Sequence, residues 1–174
     1  MNRSQLEHLV RAAATIADVT DILVIGSQAI LGSYPEAPSA MLRSMEADLV
    51  PLHAPERADL IDGTIGEGSP FHSTFGHCAR GVGLETATLC PGWQDRLVPI
   101  RNDALRGATG WCLDPHDLVL AKLVAGRAKD LEFARAAAGA GMLDLEELQR
   151  RLAALQVDAR LERAVAGRIE RLGA

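Results

Sequence analysis

Two short stretches of the chain combine residue types that could act together on a phosphate group. Gly26-Ser27 directly follows the apolar run 22–25. A glycine, a hydroxyl group and the start of a short predicted helix together form a place where a phosphate can bind. Glu46 and Asp48 lie two residues apart on the next predicted strand, so their carboxylates should project from the same face of the sheet. Two close carboxylates can hold a divalent cation opposite a phosphate, and the pattern therefore indicates a nucleotide-phosphate site.

The surroundings of the acid pair strengthen this interpretation. Ala47 and Leu49 beside the two acids are apolar, as expected for a partly buried strand. An acidic residue in such a strand is costly unless it is paired, solvated or bound to a metal. Glu46 and Asp48 on one face would also repel each other without a cation. The alternative at this point is an exposed strand face that carries two solvated acids.

The rest of the chain predicts the elements that must position these residues. Ser4 and Glu7 fit a capping box at the start of an amphipathic helix over residues 4–18. Further short strands are predicted at 77–82, 84–89, 96–100 and 109–113, the third of them near a sheet edge because Pro99 cannot donate to a ladder. From Asp114 onward the spacing is helical.

The predicted fold class is therefore α/β (α+β), a mixed sheet flanked by helices and followed by a C-terminal helical tail. We predict an α/β core over residues 1–113 and a helical segment over 114–174 that packs on it as one compact unit.

Composition restricts the class of protein further. A net charge of −5 on 174 residues argues against a broad electrostatic grip on nucleic acid. Cys78, Cys90 and Cys112 are widely spaced without a CxxC pair, which argues against a disulfide framework or a zinc site. The sequence shows neither the layout of a signal peptide nor an apolar run of membrane-spanning length. We therefore expect a cytoplasmic protein with no membrane partner.

Four motifs give the chain a resemblance to a known superfamily. They are residues 24–30 (VIGSQAI), 44–49 (SMEADL), 91–97 (PGWQDRL) and 117–130, where Lys122 is followed by Gly126-Arg127-Ala128-Lys129-Asp130. On these motifs the chain resembles members of the nucleotidyltransferase fold superfamily. It is similar in particular to bacterial nucleotidyltransferase-like proteins related to the abortive-infection toxin type.

The resemblance implies a magnesium-dependent reaction with a nucleoside triphosphate as substrate. By position, Gly26 and Ser27 would hold the triphosphate. Glu46 and Asp48 would bind Mg²⁺ and serve as catalytic residues. Such families often add a third carboxylate from a later strand. Glu85, on the predicted strand 84–89, is the choice for that metal ligand, with Asp95 in reserve.

The last motif supplies the cations that the resemblance implies. Lys122, counted among the catalytic residues, together with Arg127 and Lys129 would neutralise phosphates or place the acceptor. Asp130 lies three residues after Arg127 and is expected to pair with it. The alternative for these four residues is a solvated helix face with ordinary ion pairs.

Two functions remain open on the sequence. The first is an enzyme that transfers a nucleotide to an RNA, protein or small-molecule hydroxyl, with a toxin role and a cognate antitoxin as partner. The second is a catalytically degenerate nucleotide-binding or protein-interaction module, because Glu46 stands where the superfamily usually has aspartate. A third carboxylate beside Glu46 and Asp48 would favour the enzyme, and an apolar wall there would favour the module.

Overall fold

The fold is organised around a buried central strand. In the computed structural model, which describes residues 1–173, β1 (Asp21–Ile25) has four apolar residues with almost no exposed surface. The other four strands are β2 (Glu46–Pro51), β3 (Cys78–Gly81), β4 (Val98–Ile100) and β5 (Thr109–Cys112). The five strands stand in the order β3-β2-β1-β5-β4. β1 pairs antiparallel to β2 and parallel to β5, while β2–β3 is parallel and β4–β5 antiparallel, so the sheet is mixed.

Eight α-helices surround the sheet among the described residues. They are α1 (Arg3–Ala17), α2 (Ile30–Ser33), α3 (Ala58–Ile65), α4 (Pro70–Phe75), α5 (Pro115–Ala125), α6 (Ala128–Gly139), α7 (Leu145–Ala154) and α8 (Ala159–Glu170). One face of the sheet packs on α1 and α3: a Cβ on Gly110 would touch Val10 of α1, and one on Gly81 would collide with the carbonyl of Ala58 in α3. On the opposite face, α5 and residues 86–88 lie near Ile25 and Asp48.

The N-cap of the first helix lies two residues before the predicted one. Asn2, not Ser4, is the N-cap of α1, and it forms the capping box with Gln5. Ser4 lies inside the first turn, and Glu7 pairs instead with Arg3. An Asn-x-x-Gln box satisfies the same orphan amides as a Ser-x-x-Glu box, which explains why the sequence allowed both placements.

The predicted strand over residues 84–89 is wrong. Residues 84–86 form a single 3₁₀ turn inside a connection that runs from 82 to 97. Because β3 and β4 are the two edges of the sheet, this connection must cross the whole sheet. Residues 86–88 of this connection line a pocket with Asp48 and Arg80, so the connection runs past the face opposite α1 and α3. The prediction that β4, with Pro99, lies at an edge is confirmed.

The C-terminal helices share one hydrophobic core with the sheet. α5, α7 and α8 begin at aspartate N-caps, Asp114, Asp144 and Asp158, whose side chains accept backbone N–H groups. Their buried residues join the same cluster as β1. The predicted fold class, a mixed sheet with flanking helices and C-terminal helices, is confirmed; the division at residue 113 stays a prediction. Among residues 1–173, none of the helices has the length and apolarity that a membrane crossing requires.

Candidate functional site

The acid pair lies on the face of the sheet that α1 and α3 leave open. In the β1–β2–β3 register, Asp48 stands between Ile25 and Arg80, and Glu46 stands beside Cys78. Both acids are half-buried, whereas Ala47 between them points to the opposite face and is fully buried. The predicted common face for the two carboxylates is therefore present.

Burial makes both carboxylates unfavourable as free anions. Desolvation raises the pKa of Glu46, and the neighbouring negative charge of Asp48 raises it further. Desolvation also raises the pKa of Asp48, against the opposing positive charges of Arg80 and Lys122. Two acids that resist ionisation on one face gain most from a cation placed between them.

The turn at Gly26 is shaped to approach Asp48. Gly26 has φ +68°, and a Cβ at this position would lie 2.3 Å from Asp48 Oδ2. Only glycine fits such a contact in this conformation. Ser27 then begins a 3₁₀ turn over Ser27–Ala29, and the buried Gln28 donates a hydrogen bond to the carbonyl of Ser44. The turn is thereby tied to the residues that precede β2.

Lys122 connects α5 to the Gly-Ser turn. Its side chain is buried, and Nζ donates to Ser27 Oγ at 2.9 Å and to Asp130 Oδ1 at 3.3 Å. The ammonium group also lies over the ring of Phe133 at 4.6 Å. The alternative of a solvated helix face is therefore wrong for Lys122.

Asp130 is the buried hydrogen-bond partner of Lys122 and Arg127. It is fully buried and accepts hydrogen bonds from Arg127 Nε at 2.5 Å and from Lys122. Burial alone would raise its pKa, but the hydrogen bond from Arg127 and the charge of Lys122 outweigh burial and lower the pKa. The expected pairing of Arg127 with Asp130 is confirmed. Arg127 and Lys129 remain exposed.

Two pockets meet at these residues. One, of about 250 Å³, is polar and the other, of about 210 Å³, is more apolar; Gly26, Asp48, Lys122 and Arg127 line both. The polar pocket adds two hydroxyls, three acids and two cations: Ser27, Ser44, Glu46, Asp130, Glu132, Arg43 and Lys129. The apolar pocket lies between the sheet, α5 and the crossing connection. Besides the shared residues, its polar side chains are those of Arg80, Thr86 and Thr88. The polar pocket therefore brings four cationic and four acidic side chains together, and the second pocket adjoins it through the four shared residues.

The predicted third carboxylate is not with the pair. Glu85 lies on the exposed 3₁₀ turn of the crossing connection, and its carboxylate folds back against Gly83. Asp95 is exposed on another 3₁₀ turn, over 93–96. Within residues 1–173, no group of three or more His, Cys, Asp or Glu side chains could hold a metal ion. The prediction failed because the alternation that would aim Glu85 inward holds only for a strand.

Sequence reasoning missed Arg80. It stands on β3 in register with Asp48 and lines the apolar pocket. The alternation of Cys78-Ala79-Arg80 within a predicted strand could have placed it on one face. The pairing of that strand with β2 could not be read from the sequence.

Glu46 and Asp48 are the residues that would hold a magnesium ion. Mg²⁺ prefers hard oxygen ligands and in nucleotide sites is usually held by one or two carboxylates, with substrate phosphates and waters completing the shell. Glu46 and Asp48 supply such a donor set, and the close approach of Gly26 leaves the carboxylate of Asp48 beside the Gly-Ser turn.

A mixed sheet whose first strand ends in Gly-Ser and whose neighbour carries an acid-x-acid pair is the arrangement of a nucleotidyltransferase-like protein. Comparison with protein families agrees: the profile of the family described as "nucleotidyltransferase of unknown function (DUF6036)" matches residues 4–166. The chain belongs to this family. Comparison with curated proteins and with solved structures finds no significant match.

Proposed function

We propose that the protein is a magnesium-dependent nucleotidyltransferase that moves a nucleotide from a nucleoside triphosphate to a hydroxyl group. One observation carries the proposal: Gly26-Ser27, the acid pair and Lys122 line one pocket, although Ser27 and Lys122 are 95 residues apart. Membership of a family described as nucleotidyltransferases supports it.

The proposed roles of these residues follow from their charges. Ser27 and the backbone of its turn bind the terminal phosphates, and Lys122, Arg127 and Lys129 neutralise them. Glu46 and Asp48 hold Mg²⁺, which when bound aligns the triphosphate and offsets its charge. The acceptor oxygen bonds to the α-phosphorus while the bond to pyrophosphate breaks, and the hydroxyl proton is released to water.

The acceptor is proposed from the resemblance and the charge of the chain. The toxin-type relatives suggest an RNA end, a protein hydroxyl or a small molecule, and a cognate antitoxin as partner. A net charge of −5 favours a short RNA end or a protein over a long nucleic acid.

The second candidate is a nucleotide-binding or protein-interaction module without transfer activity. The observation that favours it is Arg80, which stands in register with Asp48, while Glu85, the predicted third metal ligand, lies away from the acid pair. On this account the pocket would bind a nucleotide but would not transfer it.

A label-transfer assay tests the proposal. Each α-³²P-labelled nucleoside triphosphate is incubated with the protein and with total RNA, total protein or the small-molecule fraction of a bacterial extract, with Mg²⁺ or with EDTA. We expect Mg²⁺-dependent transfer of label to one fraction and release of pyrophosphate. Glu46→Ala/Asp48→Ala should abolish the transfer. Glu162→Ala/Glu170→Ala, which removes two exposed acids on α8, is the matched control and should not change it.

The two candidates predict different results. Nucleotide that binds without label moving into any fraction contradicts the enzyme and favours the module. Transfer that survives the loss of both acids contradicts the assigned metal site.

A further inference from the structure

Arg80 occupies a position that matters for the number of metal ions in the site. Its Cα pairs with that of Asp48 across the parallel β2–β3 ladder, so the two side chains leave the same face of the sheet. Arg80 is exposed, lines the pocket next to Asp48, and takes part in none of the ion pairs found among residues 1–173. Its guanidinium group is therefore available to a ligand.

Arg80 places a positive charge beside the acid pair, because it stands in register with Asp48 and lines the same pocket. Two carboxylates and one guanidinium carry a net charge of −1, whereas three carboxylates would carry −3. A second divalent ion would lie near a fixed positive charge and would lack a third carboxylate ligand. Arg80 therefore disfavours a second divalent cation beside Asp48.

We propose that this site takes a single divalent cation with the triphosphate, and that the Arg80 guanidinium binds the phosphate at the junction of the two pockets in place of a second ion. The proposal rests on the proposed function. Guanidinium groups bind phosphate oxygens in bidentate fashion and cannot lose their charge at neutral pH, so Arg80 can neutralise that phosphate permanently. Lys122 and Arg127 face the same junction from α5 and from the start of α6.

Counting metal ions per bound nucleotide tests the proposal. The probe is the α,β-methylene analogue of the nucleoside triphosphate that binds best, with Mn²⁺ in place of Mg²⁺. Protein is kept in excess so that the analogue is bound, and electron paramagnetic resonance measures the free Mn²⁺. We expect one Mn²⁺ per bound nucleotide for the natural protein.

Two variants of Arg80 separate its role from a structural one. Arg80→Gln should keep one Mn²⁺ but weaken analogue binding by about 10-fold or more, because charged hydrogen bonds to phosphate are lost. Arg80→Asp adds a third acid beside Asp48 and should raise the ratio to two. Arg160→Gln and Arg160→Asp, at an exposed position on α8, should match the natural protein. Circular dichroism confirms that each variant is folded.

The outcomes distinguish this inference from the proposed function. Two Mn²⁺ ions per nucleotide in the natural protein would overturn the single-ion inference and leave the nucleotide site intact. A ratio that stays at one in a folded Arg80→Asp variant would overturn the role of Arg80 in excluding the second ion. Unchanged analogue affinity in Arg80→Gln would overturn the phosphate contact. Failure of the natural protein to bind the analogue with Mn²⁺ would overturn both proposals together.

Discussion

Helix α5 carries a buried group of charged side chains at each end, and the two groups are built differently. At its start, Asp117 is buried, accepts hydrogen bonds from Arg96 at 2.8 and 2.9 Å, and lies 3.0 Å from Arg151. Arg151 also contacts Asp114 at 2.6 Å. These two acids and two arginines, with Glu147, which Arg151 contacts at 2.5 Å, satisfy each other and tie the crossing connection and α7 to α5.

The group at the other end of α5 is left open. Lys122 and Asp130 are paired, but Glu46 and Asp48 appear in none of the ion pairs among the described residues and face the pockets. A closed network stabilises the fold, since all of its charges are compensated. An open network keeps charges that a bound ligand can compensate. The following predictions test this contrast.

The largest effect is expected in the closed network. Asp117→Ala leaves Arg96 and Arg151 without their shared partner, and breaking a buried pair in this way costs about 3–5 kcal/mol. For a domain of this size that lowers the melting temperature by roughly 10 °C, measured by calorimetry. Glu162→Ala, at an exposed acid, is the control. A decrease of under 2 °C would show that the network does not stabilise the fold.

Gly26→Ala tests the close approach of Gly26 to Asp48 in the open group. The added Cβ needs a strained backbone and displaces Asp48 Oδ2, which lies 2.3 Å from its position. We expect a loss of about 2–3 kcal/mol in the free energy of unfolding and weaker Mg²⁺-dependent nucleotide binding. Gly63→Ala, in α3 with open space around it, should stabilise by about 0.5–1 kcal/mol. Equal effects of the two substitutions in denaturant titrations would contradict this account.

Acid should weaken the closed network. Burial would raise the pKa of Asp114, but hydrogen bonds from His116 and the charge of Arg151 prevail and lower the pKa to about 2. Because this folded-state value lies below the unfolded one, the network stabilises the fold above about pH 4. That contribution, about 1–2 kcal/mol, is lost as pH falls towards 2. Asp114→Asn should flatten this part of the stability–pH curve; an unchanged slope would refute the assignment.

The smallest expected effect is a gain in stability, whereas Asp117→Ala and Gly26→Ala lower it. Because burial raises the pKa of Asp48, its ionised form destabilises the folded state in the absence of metal. Asp48→Asn should therefore leave stability unchanged or raise it by up to about 1 kcal/mol in EDTA, as measured by urea titration. A clear destabilisation would place Asp48 among the structural charges.

Local patterns in the sequence predicted much of this architecture. β1 could be recognised because a short, continuous apolar run fits only a buried strand, and Pro99 marked an edge strand because it lacks an N–H. Glu46 and Asp48 could be assigned to the same face of a strand because strand alternation is a local property. Glu85 was misplaced because its segment crosses the sheet as irregular backbone. Arg80 and the Lys122–Ser27 contact depend on strand order and helix packing, which are long-range.

The central claim is that the open group binds a triphosphate through a metal ion. Isothermal titration of the natural protein with each nucleoside triphosphate, first with Mg²⁺ and then with EDTA, tests it most directly. We predict binding of at least one triphosphate that requires Mg²⁺ and that Glu46→Ala/Asp48→Ala abolishes. Binding that is indifferent to both Mg²⁺ and the two acids would contradict the account.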